Sequence, residues 1–150
     1  MEVETMGEAD GKTRILTFGV FDLFHYGHKE LFRKAKEMGG PHAYLIVAVH
    51  DEAFIRQFKP DVELVYSTQE RLEMVQQCRY VDEAVLYKTV AQGVREIPFD
   101  VLLLGADHGK HAAWQEALAW CAAHGKKVMR TTRTEGISST TLRDRIRHLS

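Results

Sequence analysis

Residues Arg14–Val49 read RILTFGVFDLFHYGHKELFRKAKEMGGPHAYLIVAV, and this stretch decides the fold. Arg14–Gly19 opens it with a short apolar run broken by glycine, the pattern of a buried strand. Leu31, Phe32, Ala35 and Met38 then recur at helical spacing, and Gly39-Gly40-Pro41 is a stop signal. Ala43–Val49 is a second continuous apolar run. Strand, helix and strand in succession, with strands too apolar to face water on either side, predict a parallel sheet covered by helices on both faces.

The alternation continues outward. Helical patterns around Asp51–Phe58 and Gln69–Cys78 are separated by Lys59-Pro60-Asp61, and Ser67 with Glu70 forms a capping box for the second of them. Ala84–Tyr87 predicts a short strand and Val101–Leu104 a strong one. Between His111 and His124, Trp114, Ala117, Leu118 and Cys121 share one helix face. Lys127–Met129 predicts the last strand, and Thr141–Leu149 a last helix with Leu142, Ile146 and Leu149 turned inward. The expectation is one α/β domain of Rossmann-like type over residues 13–150, with about five parallel strands. Residues 1–12 (MEVETMGEADGK) are polar and aperiodic and predict a disordered tail.

Composition narrows the function classes. The 150 residues are 45% hydrophobic and 27% charged with a net charge of −1, so no overall basic excess recruits nucleic acid or an anionic membrane. There is no signal-peptide pattern and no apolar run long enough to span a bilayer. Cys78 and Cys121 lie in separate segments, without a CxxC, which fits a reducing compartment; a cytoplasmic location is expected.

In a sheet of this kind the ligand crevice lies beyond the carboxyl ends of the strands. That directs attention to Gly19–His28, His50–Asp51, Gly105–His108 and Arg133–Thr141. In the first, GVFDLFHYGH, His25 and His28 stand three apart where strand turns into helix, so both imidazoles share a face beside the free N–H groups of the helix start. That arrangement suits a phosphoryl group whose charge grows under attack. Two histidines could also begin a zinc site, but no third ligand follows at helical spacing and no cysteine pair supports one; no protein-held metal is expected. In the last segment, RTEGISSTTLR, an arginine, a glycine turn and four hydroxyl residues precede a helix. Ser138 and Ser139 can cap that helix, and Arg133 can fork onto phosphate oxygens. A capped helix after a surface turn is the plainer explanation, but it leaves the arginine and glycine unaccounted for.

GVFDLFHYGH resembles the G-x-F-D-x-x-H-x-G-H signature of the nucleotidyltransferase superfamily that contains the cytidylyltransferases. RTEGISSTT looks like the R-T-x-G-I-S-[ST]-T signature of its cytidylyltransferase branch; the overall resemblance is closest to the glycerol-3-phosphate enzymes, although Ser139 stands where these commonly carry threonine, a change that keeps the hydroxyl. The resemblance runs from Arg14 to about Arg147. It implies that Phe18, Gly19, Val20, Phe21, His25, His28, Asp107, Arg133, Gly136, Ile137, Ser138 and Ser139 bind the nucleotide. Arg133 and the hydroxyls would hold the β- and γ-phosphates of CTP. Lys59, in a loop that closes over the phosphates in the family, would join His25 and His28 in catalysis and also bind substrate. Arg79, in a stretch similar to the family's R-Y-V-D-E, would be a phosphate ligand. Asp22 is expected to organise the first loop through hydrogen bonds.

The implied reaction moves CMP from CTP to a phosphorylated alcohol, with magnesium arriving on the triphosphate. The implied assembly is a homodimer, to which the apolar groups Phe54, Phe58, Val65 and Tyr66 add mild support. One departure bears on the acceptor: the tryptophan that lines the family's acceptor pocket has no counterpart, since Val90 stands near that position. Glycerol 3-phosphate is therefore the favoured acceptor, ahead of other polyol phosphates, phosphoethanolamine and a small phosphonate, with Tyr87 or His108 as candidate hydroxyl partners. Two other readings stay open: an adenylyltransferase of the same superfamily, and a nucleotide-binding regulatory module without activity.

Overall fold

The computed structural model describes residues 10–105, 112–131 and 139–149. Within them β1 (Thr13–Gly19), β2 (Ala43–His50), β3 (Glu83–Tyr87), β4 (Val101–Leu104) and β5 (Lys127–Arg130) form a five-stranded parallel sheet in the order β3-β2-β1-β4-β5. The helices are α1 (Tyr26–Gly39), α2 (Glu52–Phe58), α3 (Thr68–Gln76), α4 (Val90–Glu96), α5 (Ala112–Ala123) and α6 (Ser139–Leu149). The α/β, Rossmann-like class expected from the alternation is the class the chain adopts. No helix among the described residues is long and apolar enough to cross a membrane. Of residues 1–12, Asp10 pairs with Arg14 at 2.6 Å, beside the start of β1.

Strand alternation divides the core into two layers. Leu16, Phe18, Ile46, Ala48, Leu102 and Leu104 face one side, where Val94 of α4 and Trp114, Ala117 and Cys121 of α5 cover them. Ile15, Leu45, Val47, Val49 and Leu103 face the other, against Phe32 and Ala35 of α1 and Val75 of α3. The central strands β1, β2 and β4 are thus buried from both sides, which is why they read as unbroken apolar runs. At the start of α3 the capping box forms as expected: Ser67 accepts from the Glu70 amide at 3.1 Å, and Glu70 accepts from the Ser67 amide at 2.9 Å.

Three local expectations change. Helix α4 has no counterpart in the sequence reading, because it is short and carries Gly93 at its centre, where glycine ordinarily weakens a helix. That glycine has a packing reason: a Cβ there would lie 2.6 Å from the Phe18 ring. Strand β5 forms but is exposed along its whole length, as an edge strand. In α6 the stripe expected to face inward is not buried. Ile146 is 58% and Leu149 87% exposed, while Leu142, nearer the start of this helix, is half-buried.

Candidate active site

The strand order changes direction at β1, which pairs with β2 on one side and β4 on the other. Such a switch point opens a crevice at the carboxyl ends of the two strands, and the loop from Gly19 to His25 lies at its edge. Gly19 admits no side chain, because a Cβ would sit 2.6 Å from the ring of Phe21, which folds back over it. That ring is buried and packs edge-on to His28 at 5.2 Å and against Phe32 at 5.4 Å.

Phe21 and Leu23 both occupy the left-handed region, with φ of 57° and 48°. Each costs about 1–2 kcal/mol for a non-glycine residue, so the loop must be held from outside. Asp22, between them and only 3% exposed, supplies the hold. Its carboxylate accepts from the Val65 amide at 2.9 Å and the Tyr66 amide at 3.0 Å, and it pairs with Arg143 of α6. Asp22 therefore organises the first loop, as the sequence suggests, and also ties it to the connection that follows Lys59 and to the last helix.

The two histidines begin α1. His25 is the N-cap: its Nδ1 accepts from the Gly27 amide at 3.0 Å, while His28 Nδ1 accepts from the His25 amide at 3.2 Å. This is a capping box built from imidazoles instead of the usual hydroxyl and carboxylate. The rings stack with centroids 3.7 Å apart and planes 21° from parallel. Because each Nδ1 accepts a main-chain N–H, the proton of each neutral ring is on Nε2, and each ring is a donor there. Burial, with the His25 charge second, pushes the His28 imidazole down to about 3, so it is neutral at pH 7. The Nε2 donors of a neutral His28 and of His25, at the positive end of a 14-residue helix, make a place where negative charge is stabilised.

Around the carboxyl end of β2, Asp51 caps α2 by accepting from the Ala53 amide at 3.1 Å. His50 stacks on Tyr87 at 4.4 Å, and its Nε2 meets the Lys88 carbonyl oxygen at 2.8 Å. Lys59 is exposed at the C-terminal end of α2, and its charge is among those that act on His50, which brings it within electrostatic reach of this end of the sheet.

The expected site residues thus divide. Gly19, Val20, Phe21, His25 and His28 share one strand-to-helix loop. The Phe18 and Phe21 side chains are in the core, which leaves their main chain for any ligand. Arg79 is exposed over the Tyr80 ring at 5.9 Å, in the turn that enters the amino end of β3. The crevice opens at the other end of that strand. Ser139 is the first residue of α6, while Asp107, His108, Arg133, Gly136, Ile137 and Ser138 lie outside the described residues. The sequence reading gives no role to Arg71, which is fully buried beneath the loop. Its one sequence signal is spacing: Arg71 stands four residues before Val75, on the helix face that is buried.

A family model described as Cytidylyltransferase-like matches residues 16–145 of the chain. The chain is 35% identical to the glycerol-3-phosphate cytidylyltransferase of Staphylococcus aureus, over 89% of this chain and 94% of that one. It is also 35% identical to a probable ethanolamine-phosphate cytidylyltransferase of Encephalitozoon cuniculi, over 81% of this chain and 37% of the longer relative. Among solved structures, the lipopolysaccharide core biosynthesis protein from Thermoplasma volcanium superposes with a TM-score of 0.68 at 24% identity. That match covers 82% of this chain and 98% of that one, and is a likeness of fold.

Proposed function

The chain is a nucleotidyltransferase of the cytidylyltransferase-like family, and from that membership we propose that it transfers the cytidylyl group of CTP to a phosphorylated alcohol, releasing pyrophosphate. The observation that carries this reading is the stacked pair of imidazoles, each with its Nδ1 accepting a main-chain N–H and its Nε2 left to donate, in the first turn of α1 at the switch point. An oxygen of the acceptor's phosphate attacks the α-phosphorus of CTP, and the bond from that phosphorus to the pyrophosphate oxygen breaks. The acceptor phosphate is already a nucleophile at neutral pH, so catalysis is positioning and charge stabilisation. His25, His28 and Lys59 meet the charge that builds on the α-phosphoryl group. Arg133, Ser138 and Ser139 hold the departing pyrophosphate, Gly136, Ile137 and Asp107 contact the nucleotide, and Arg79 takes a phosphate. Magnesium would arrive with the triphosphate and supply charge neutralisation there; the Asp22 carboxylate, engaged by two amides and Arg143, would not be the group that holds it.

Glycerol 3-phosphate is the acceptor we favour. Val90, near the position of the family's pocket tryptophan, is 8% exposed and belongs to the core, so it offers no aromatic wall to a quaternary ammonium group. Tyr87, a candidate hydroxyl partner for a polyol, is only 7% exposed and packs in the core beside Phe18. The test is a pyrophosphate-release panel with CTP, ATP, GTP and UTP against glycerol 3-phosphate, other polyol phosphates, phosphoethanolamine and a small phosphonate. CTP with glycerol 3-phosphate should give the highest kcat/KM. A preference for ATP would make the chain an adenylyltransferase, and a preference for phosphoethanolamine would overturn the acceptor. Binding of CTP without pyrophosphate release from any pair would favour a regulatory module.

A homodimer accompanies this reading. Val65 is 56% exposed on a segment whose main chain Asp22 pins, so an apolar side chain is presented rigidly to a partner. Arg79, at the amino end of β3, would reach a phosphate most directly in a neighbouring copy. Light scattering at micromolar concentration should give about twice the 17.1 kDa of one chain, and the single-chain mass would remove the dimer. The free thiols Cys78 and Cys121 accord with a cytoplasmic location.

A further inference from the structure

Arg71 of α3 has no exposed surface, and its guanidinium is spent on main-chain carbonyls. Nε donates to the Tyr66 oxygen at 3.3 Å, and one terminal nitrogen donates to the Val20 oxygen at 2.9 Å and the His50 oxygen at 2.8 Å. The other terminal nitrogen donates to Thr68 Oγ1 at 3.1 Å. Asp22, Glu52 and Asp51 act on this charge through space. Burying a cation against carbonyl dipoles is costly, and an apolar residue would fill a helix–sheet interface more simply.

The acceptors explain the choice. Val20 follows the glycine that ends β1 and leads into the loop of the two histidines. His50 ends β2. Tyr66 closes the connection that begins at Lys59, and its amide is held from the opposite side by Asp22. Thr68 Oγ1, besides accepting from Arg71, accepts from the Glu52 amide at the head of α2 at 3.0 Å. One planar fork thus joins the histidine-bearing loop, the end of β2 and the lysine-bearing connection. A lysine would keep the charge, but its donors radiate from a single atom and cannot span these acceptors.

We propose that Arg71 is a positioning residue for the transfer: without touching substrate, it sets the spacing between the histidine loop and the segment that carries Lys59. This rests on the cytidylyl-transfer reading above, in which those two segments converge on the α-phosphoryl group. Small displacements of groups that must meet one transition state have large effects on rate.

The test is Arg71→Lys, assayed with CTP and the acceptor that wild type turns over fastest, well below the variant's own melting temperature. Expected are a fall in kcat of about 10–100-fold, from misplaced groups, and a KM for CTP within about threefold of wild type. The 15N resonances of the His25 and His28 imidazoles should move as well. A folded variant with lowered melting temperature but wild-type kcat, KM and imidazole resonances would reduce Arg71 to a support of the fold. A raised KM for CTP with intact kcat would make it a binding residue and equally overturn the proposal. Should Arg71→Lys not fold, Thr68→Val removes one acceptor of the fork and leaves the rest. A fall in kcat of several-fold supports the proposal, and wild-type kcat defeats it. If wild type itself releases no pyrophosphate with any acceptor, the cytidylyl-transfer reading fails, and the imidazole resonances alone decide whether Arg71 positions the loop.

Discussion

Replacing His28 by alanine lowers kcat for pyrophosphate release by on the order of 100–1,000-fold, the effect of removing one preorganised donor from a developing phosphoryl charge. KM for CTP moves far less, because a donor aimed at transition-state charge adds little to ground-state binding. Three losses combine in this variant. The Nε2–H of His28 disappears, and so does the Nδ1 that accepts from the His25 amide, together with the ring on which His25 stacks. The measurement is steady-state release with circular dichroism on the same sample. A folded variant with near-wild-type kcat would remove the histidine pair from the mechanism.

The same residue links stability to pH. His28 titrates in the folded protein at about 3, held down by burial, whereas an unfolded histidine titrates near 6.5. Between these values the unfolded chain binds the extra proton, so stability is fully present above about pH 6.5 and is lost as pH falls toward 3. In His28→Ala this contribution is absent, so the variant's acid limb should be shallower in denaturant titrations run across that window. Since His28 stays neutral throughout, its protonation does not produce an acid limb in kcat between pH 8 and 5.

How far the sequence discloses such features depends on what each residue's environment requires. Strands β1, β2 and β4 are buried on both faces, which demands unbroken apolar runs, and such runs are visible in the chain. The histidine pair is visible because its spacing and its place after a strand both carry chemistry. Helix α4 was hidden by Gly93, whose reason is the Phe18 ring, a contact between segments that no local pattern encodes. Periodicity showed the apolar stripe of α6 but not its surroundings: Ile146 and Leu149 keep helical spacing whether or not anything covers them. Arg71 is the hardest case, because in TQERLEM a buried arginine and a solvated one look the same. Its role is set by carbonyls of residues 20, 50 and 66, brought together only by the fold.

Asp22→Ala should cost about 3–5 kcal/mol of stability, a fall of about 6–20 °C in melting temperature for a chain of this size. The carboxylate is buried, and its loss strands three donors at once: the Val65 amide, the Tyr66 amide and the Arg143 guanidinium. It also removes what holds Phe21 and Leu23 in the left-handed region, so their backbone strain is released by loop movement. The ion pair can be separated from the amide bonds by adding Arg143→Met. Arg143 already has a buried Nε without a hydrogen-bond partner among the described residues, so stranding the rest of its guanidinium accounts for much of the cost. The double variant should therefore be more stable than the sum of the single losses implies, with a coupling of about 0.5–3 kcal/mol. The readout is thermal unfolding of wild type, both single variants and the double. Strict additivity, or an Asp22→Ala melting temperature close to wild type, would show that this carboxylate does not join the first loop to the last helix.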